Sequence, residues 1–251
     1  MREPKVLEKL AETEVTAPKV IDTSFDQKPY FFLMSKLEGK NFEQAEDELS
    51  RSEKKEFFHS AGKQLAQIHE NIEFEEYGQL DQNLEPEKQS WKEKFRGDIE
   101  WRIEKLEETR FSDMRPQIEE LTQDLSVLEE VGRPSLVHDD FRLANIMVSG
   151  SEITGIIDWA RAYSGDPYID FVSAEFRFFG SHTKREKFPE FEKGYRSVRG
   201  IEDDERKYRL YRAYIITGMM IGFSTFWKKF HSKQRQEEIA EAFRKDLEEL
   251  L

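Results

Sequence analysis

The chain has 251 residues, no cysteine, a 36% charged fraction and a formal net charge of -13. The lack of cysteine excludes disulfides, thiolate metal ligands and a cysteine nucleophile, and the acidic balance argues against a non-specific nucleic-acid binder, which needs a basic face. With 37% hydrophobic residues and 20 phenylalanines the chain can fill a core, so the charge does not signal disorder.

The start, Met1-Arg2-Glu3-Pro4-Lys5, is charged and lacks the apolar run of a signal peptide, which predicts a cytoplasmic location. Val6, Leu7 and Leu10 mark a short helix. Pro18 to Ile21 and Tyr30 to Met34 read as strands, joined by a loop over Asp22 to Lys28. Ser50 stands three residues before Glu53, a capping-box spacing, and Phe57, Phe58, Ala61, Leu65 and Ile68 follow at helical intervals. A second amphipathic helix carries Trp91, Phe95, Ile99, Ile103 and Leu106, and a third carries Ile118, Leu121, Leu125, Leu128 and Val131. The period then changes. Leu136-Val137 is β-like, and Ile146 to Val148 and Ile153 to Ile157 flank Gly150-Ser151, which reads as a hairpin turn. Ala213 to Trp227 is the most apolar stretch, but it is shorter than the roughly 20 residues of a membrane span. Arg212 and Lys228 bracket it, so it is expected to be a buried helix, and no membrane association is expected. Ile239, Phe243, Leu247 and Leu250 mark the last helix.

The chemistry concentrates in Leu136-Val137-His138-Asp139-Asp140-Phe141-Arg142-Leu143-Ala144-Asn145. Asp140 and Asn145 are five apart between β-like runs, and Asp158 follows thirteen residues later, beyond the hairpin. Two carboxylates and an amide oxygen at strand ends suit a hard divalent cation. A kinase needs this ordered set: an Asp that receives the hydroxyl proton, an Asn for one Mg²⁺, and a second Asp that holds Mg²⁺ on the phosphates. The bland alternative is three residues that merely cap turns.

This segment resembles the aminoglycoside phosphotransferase and choline kinase-like family, whose loop reads H-G-D-x-x-x-x-N and whose metal motif reads I-D-W. Gly165-Asp166-Pro167 with Asp170 is similar to that family's G-D-P-x-x-D, Gly62 to His69 to the helix before its loop, and Leu33 to Gly39 to its hinge. The resemblance covers roughly Arg2 to Phe178. It implies an α+β, protein-kinase-like fold, with a truncated small N-terminal lobe over residues 1–40 and a mainly helical C-terminal lobe with a catalytic β-hairpin over 41–251. It further implies Asp140 as catalytic base, Asn145 and Asp158 as Mg²⁺ ligands, and Glu3, Met34, Ser35 and Lys36 on the nucleotide side. His138, Asp166 and Asp170 would be structural supports.

The sequence departs from the family pattern in two places. Asp139 replaces the usual glycine and is expected to point to solvent. No glycine-rich loop occurs, and no lysine-bearing strand precedes Glu3, its would-be ion-pair partner. Either an upstream start or a natural truncation accounts for this, and weak ATP binding is expected of the chain as given. The leading reading is an ATP- or GTP- and Mg²⁺-dependent phosphotransferase acting on a hydroxyl of an aminoglycoside, amino sugar or amino alcohol. A catalytically impaired binding or regulatory module is the alternative. A metal hydrolase is disfavoured, because no H-x-x-x-H spacing occurs. Asp203, Asp204 and Glu205 are read as a turn before a helix rather than a cation site.

Overall fold

The computed structural model describes residues 2–129, 131–179, 188–202 and 204–251. In chain order the elements are α1 (Glu3–Leu10), β1 (Val20–Ser24), β2 (Phe31–Met34), β3 (Lys40–Asn41), α2 (Phe42–Ala45), α3 (Arg51–Asn71) and β4 (Gly78–Gln79). These are followed by α4 (Trp91–Glu107), α5 (Arg115–Thr122), β5 (Ser135–Val137), β6 (Ile146–Ser149), β7 (Glu152–Ile156) and β8 (Tyr163–Gly165). The rest is α6 (Tyr168–Phe179), α7 (Phe188–Arg196), α8 (Glu205–Gly222) and α9 (Lys233–Glu248). The chain divides into two compact units. One comprises Met1–Lys88, Gly132–Gly180 and Lys184–Glu202, and the other Gln89–Val131, Ser181–Thr183 and Asp203–Leu251. Among the described residues no helix is long and apolar enough to cross a membrane.

The first unit holds three small antiparallel sheets, ordered β1-β2, β3-β6-β7 and β4-β8-β5. Ser50 accepts from the Glu53 N–H while Glu53 returns the bond to Ser50, so the capping box starts α3 as its spacing predicts. Gly150, at φ +63°, turns the hairpin that pairs Ser149 with Glu152 and Ile146 with Ile156. α3 and α7 approach closely: a Cβ on Gly62 would stand 2.0 Å from the Phe191 carbonyl oxygen, and one on Gly194 would stand 1.9 Å from that of His59. Phe58, Phe141, Phe178 and Phe191 form a contiguous aromatic core beside them.

β1 runs on to Ser24, into the predicted loop, because its pairing with β2 continues through Thr23↔Phe32 and Ser24↔Phe31 after a bulge at Val20/Asp22.

In the second unit, Trp91 Nε1 donates to the Tyr211 hydroxyl at 2.7 Å, and the Arg102 guanidinium lies 3.4 Å from the centre of the Tyr214 ring. A second capping box, Ser90 with Glu93, starts α4. The third predicted helix is shorter than its apolar stripe: α5 ends at Thr122, and the Asp124 carboxylate accepts from the Ser126 N–H at 2.9 Å, a local turn that competes with helix continuation. Leu125 and Leu128 remain buried all the same. The stretch Ala213 to Trp227 is the expected buried helix over Ala213 to Thr217, Met220 and Phe223, but differs at its end, where a π-helical turn spans Phe223–Trp227. α8 ends at Gly222, the Trp227 ring folds back against that glycine, and Phe226 and Trp227 are exposed. Asp204 caps α8 by accepting from the Arg206 and Lys207 N–H groups; Asp203 lies outside the described residues.

Candidate active site

β5 leads into the loop that carries Asp140, and the hairpin β6–β7 delivers Asp158 back beside it. Two hydrogen bonds join the two, and a third braces the loop internally. The Ile157 N–H donates to the Asn145 carbonyl at 3.0 Å. His138 Nδ1 accepts from the Asp140 N–H at 3.2 Å, which leaves Nε2 as the protonated nitrogen facing the Ile157 carbonyl at 3.1 Å. The His138 ring is wholly buried, and burial pushes its pKa down, so the neutral form and this tautomer persist at neutral pH. His138 therefore braces the loop.

Asp140 and Asn145 touch directly. The Asn145 amide nitrogen donates to Asp140 Oδ2 at 3.0 Å and to the Asp140 carbonyl at 2.9 Å. That fixes the amide so that its oxygen is the remaining polar atom. Asp158 is exposed, one residue beyond Ile157, at φ +65°. Asp139 sits at φ +61°, the left-handed conformation that glycine would adopt without cost. Its carboxylate does not point freely to solvent: Arg161 donates to Oδ2 from Nε at 2.8 Å and from Nη2 at 2.6 Å. A neighbouring arginine compensates the charge that replacing the glycine introduces.

Two further arginines hold Asp140, and the sequence reading missed both. Arg177 donates from Nη1 to Oδ1 at 2.6 Å, and Arg142 from Nε to Oδ2 at 3.1 Å. Arg177 is itself fixed, by Nε to the Ser173 hydroxyl at 2.8 Å and by Nη2 to the Asp139 carbonyl at 3.1 Å. Burial pushes its pKa down, and the charges of Asp140 and Asp139 oppose this. The signal was present: Asp170, Ser173 and Arg177 recur at the spacing of one helix face.

Asp170 anchors the loop from α6 and is fully buried. Its two oxygens accept the N–H groups of His138 at 2.6 Å and Asp139 at 3.0 Å. Asp166 accepts from the Tyr168 N–H at 3.0 Å and so starts α6. On α1, Glu3 Oε1 accepts from the Trp159 N–H at 3.0 Å, and no lysine or arginine among the described residues pairs with it. Burial and the nearby Asp158 charge raise the Glu3 pKa, against the effect of that hydrogen bond. Arg2 grips the same segment, donating to the Ala160 carbonyl at 2.9 Å and to the Leu80 carbonyl at 3.0 Å.

In the hinge-like stretch, Met34 and Lys36 are exposed. The Ser35 N–H and hydroxyl are both engaged by the backbone of Lys19, at 2.8 and 2.9 Å. Of the three positions, Ser35 thus has no N–H left for a base. Leu37 packs under Gly155, where a Cβ would stand 2.5 Å from its side chain.

Among the described residues no group of three or more His, Asp or Glu is arranged to hold a metal ion by itself. The donors left, the exposed Asp158 carboxylate and the fixed Asn145 amide oxygen, fit Mg²⁺ in the way that ion is usually bound, with phosphate oxygens and water completing the shell.

Residues 1–211 match the family described as phosphotransferase enzyme family. No curated protein matches the chain. Among solved structures, the chain is similar to a thermostable mutant of aminoglycoside phosphotransferase APH(4)-Ia in ternary complex with ADP and hygromycin B. The TM-score is 0.68 at 15% identity, covering 96% of this chain and 81% of that one. It is also similar to APH(2")-IIa in ternary complex with streptomycin and ATP, with a TM-score of 0.61 at 23% identity, covering 100% of this chain and 81% of that one. ADP-bound APH(2'')-Ib aligns with a TM-score of 0.58 at 20% identity, over 98% of this chain and 81% of that one. The α+β architecture is that of these kinase-like structures.

Proposed function

The chain belongs to the phosphotransferase enzyme family, and on that premise we propose that it transfers the terminal phosphoryl group of ATP or GTP to a hydroxyl of a small molecule, with Mg²⁺. The carrying observation is the fixed pair Asp140–Asn145, joined by Ile157 to the segment that bears Asp158. Asp140 orients the acceptor hydroxyl and receives its proton. The Asn145 amide oxygen and the Asp158 carboxylate would hold Mg²⁺, which, when bound, neutralises charge on the phosphates. His138, Asp166 and Asp170 hold the loop in place. Residues 1–40 supply the nucleotide side, with Glu3 at the metal segment and the backbone of Met34 and Lys36 facing the base. The chemistry needs little else from the protein, because positioning and charge neutralisation carry most of phosphoryl transfer.

The acceptor is a small molecule. Aminoglycosides are the first class to assay, because the similar structures hold hygromycin B and streptomycin; amino sugars and amino alcohols come next. A second reading, a binding module with impaired catalysis, draws support from the pairing of both Asp140 oxygens with arginine. One experiment separates the two. ATP consumption and nucleotide affinity are measured over an acceptor panel for the wild type, Asp140→Ala and Asp158→Ala. The enzyme reading expects Asp140→Ala to lose at least ~10²-fold in turnover with nucleotide binding kept. It expects Asp158→Ala to lose the Mg²⁺ dependence of nucleotide binding. Equal turnover in wild type and Asp140→Ala rejects it.

A further inference from the structure

No acidic residue occurs between Glu205 and Glu237, in a chain that has 52 of them among 251. Within that stretch, residues 225–235 are exposed without a break. They hold three large aromatic side chains: Phe226 is 66% exposed, Phe230 73% and Trp227 42%. Lys228, Lys229 and Lys233 stand among them, and none has an acidic partner among the described residues. Scattered exposed apolar residues are normal, but large rings gathered in one run beside unpaired cations mark an interaction surface.

The run is tied down at both ends. Phe223 is buried, 6.4 Å from the Phe111 ring and 6.0 Å from that of Phe243, and anchors its start in the core. The Thr225 hydroxyl donates to the Ile221 carbonyl at 2.8 Å. Gln236 closes the other end, donating from Nε2 to the carbonyls of Lys228 at 2.8 Å and His231 at 2.9 Å. Ser232 caps α9 by accepting from the Arg235 N–H. The first acidic side chains that follow are already engaged, Glu237 by Arg110 and Glu238 by Arg235. A positive, aromatic turn thus projects from a chain whose net charge is -13.

We propose that residues 225–235 are a docking surface for an anionic lipid bilayer. Phe226, Trp227 and Phe230 enter the boundary between headgroups and acyl chains, where aromatic rings are favoured. Lys228, Lys229 and Lys233 keep their ammonium groups at the level of the lipid phosphates, with their alkyl stems along the apolar layer. The two signals act together, since a stable surface anchor takes both an apolar and an electrostatic contribution. No helix among the described residues is long and apolar enough to cross a membrane, so the contact lies along the surface and is reversible. Other polyanions fit less well. Duplex nucleic acid needs a longer basic face, and an acidic peptide would leave the rings without an apolar partner. The assignment does not depend on the phosphotransferase reading.

The test is sedimentation of the full chain with phosphatidylcholine vesicles, prepared with and without phosphatidylglycerol. Binding is expected only with phosphatidylglycerol, and raised salt should weaken it by screening the lysine contacts. Lys228→Gln combined with Lys229→Gln should weaken it by about 30-fold. Lys105→Gln combined with Lys245→Gln removes the same charge from exposed positions elsewhere in the same unit and should leave binding nearly unchanged. Phe226→Ser combined with Phe230→Ser should weaken it by at least ~10-fold. Circular dichroism checks that each variant is folded. A second readout needs no loss of binding: brominated lipid should quench the wild-type tryptophan emission, and the quenching should shrink in Trp227→Phe. Absence of wild-type binding to phosphatidylglycerol vesicles overturns the proposal. So does an equal loss in the two lysine pairs, which would reduce the effect to net charge, or quenching that is the same in Trp227→Phe. Tighter binding of duplex DNA or polyglutamate than of the vesicles also overturns it, and gives the surface to a nucleic acid or an acidic protein instead.

Discussion

Asp170 holds the backbone of His138: its Oδ2 accepts that N–H at 2.6 Å, while its Oδ1 takes the next N–H, of Asp139, at 3.0 Å. One carboxylate on α6 thereby fixes both peptides that lead into Asp140. Burial pushes its pKa up, but the nearby His69 imidazole, 3.6 Å away, and the His138 contacts carry it below the ordinary carboxyl range. Asp170→Ala should destabilise the fold by about 3 kcal/mol, the scale for losing buried bonds to a charged acceptor. Urea unfolding would measure this, and a change under half a kcal/mol would reject the anchoring role.

Arg177 positions Asp140 from the same helix. Arg177→Ala should lower kcat by roughly 10²-fold, as expected when a reacting group is displaced by about an ångström. The Michaelis constant for nucleotide should stay unchanged. Added guanidinium ion should restore part of the rate by entering the vacated space, and urea at the same concentration should not. Failure of guanidinium to restore any rate would leave Arg177 as a packing residue only.

Gly62 and Gly194 let α3 and α7 approach backbone to backbone. Alanine at either position forces a methyl group into a carbonyl oxygen. Each substitution should lower stability by about 1–3 kcal/mol, the range for overpacking. Gly97 has open space where its Cβ would lie, so Gly97→Ala serves as the matched control and should be neutral or stabilising. Equal effects at Gly97 and Gly194 would contradict the close approach.

Stability should depend on pH on the acid side. His69 and His138 are buried, and burial pushes both below the ordinary imidazole range. The unfolded chain takes up protons on them near pH 6.5, where the folded chain does not. Stability is therefore complete above that pH and falls as pH drops toward the lower folded values. Asp170, depressed in the fold, adds a loss at still lower pH by the same rule. Glu3, whose pKa is raised, contributes with the opposite sign: its share is present at low pH and lost as pH rises through its folded value. The melting temperature should thus fall between pH 7.5 and 5.5, most clearly in a Glu3→Gln background. A flat profile there would mean that the imidazoles titrate normally.

Local chemistry was legible in the sequence, and long-range pairing was not. The Ser50–Glu53 box and the Gly150 turn are set within a few residues, and both form as read. Asp139 was misjudged because its partner Arg161 lies beyond the hairpin, where no spacing rule reaches. The α5 stripe was extended too far because apolar periodicity continues through Leu128 although the Asp124 turn has ended the helix. The order of Asp140, Asn145 and Asp158 was plain. What surrounds Asp140 was not, since Arg177 meets it only after α6 folds back onto the loop. The link from Glu3 to Trp159 spans 156 residues of chain and leaves no local trace.

Trp159 has a practical consequence of its own. The indole is fully buried, donates to the Ile156 carbonyl at 3.0 Å and lies 4.4 Å from the His138 ring. Its backbone directly follows Asp158. The chain has four tryptophans, and replacing Trp91, Trp101 and Trp227 by phenylalanine would leave this one as a built-in optical probe. Its emission would register nucleotide or Mg²⁺ arriving at the neighbouring carboxylate without any attached dye, and a protonated His138 would quench it. Occupancy of the site and the charge state of the brace could then be followed in the same cuvette.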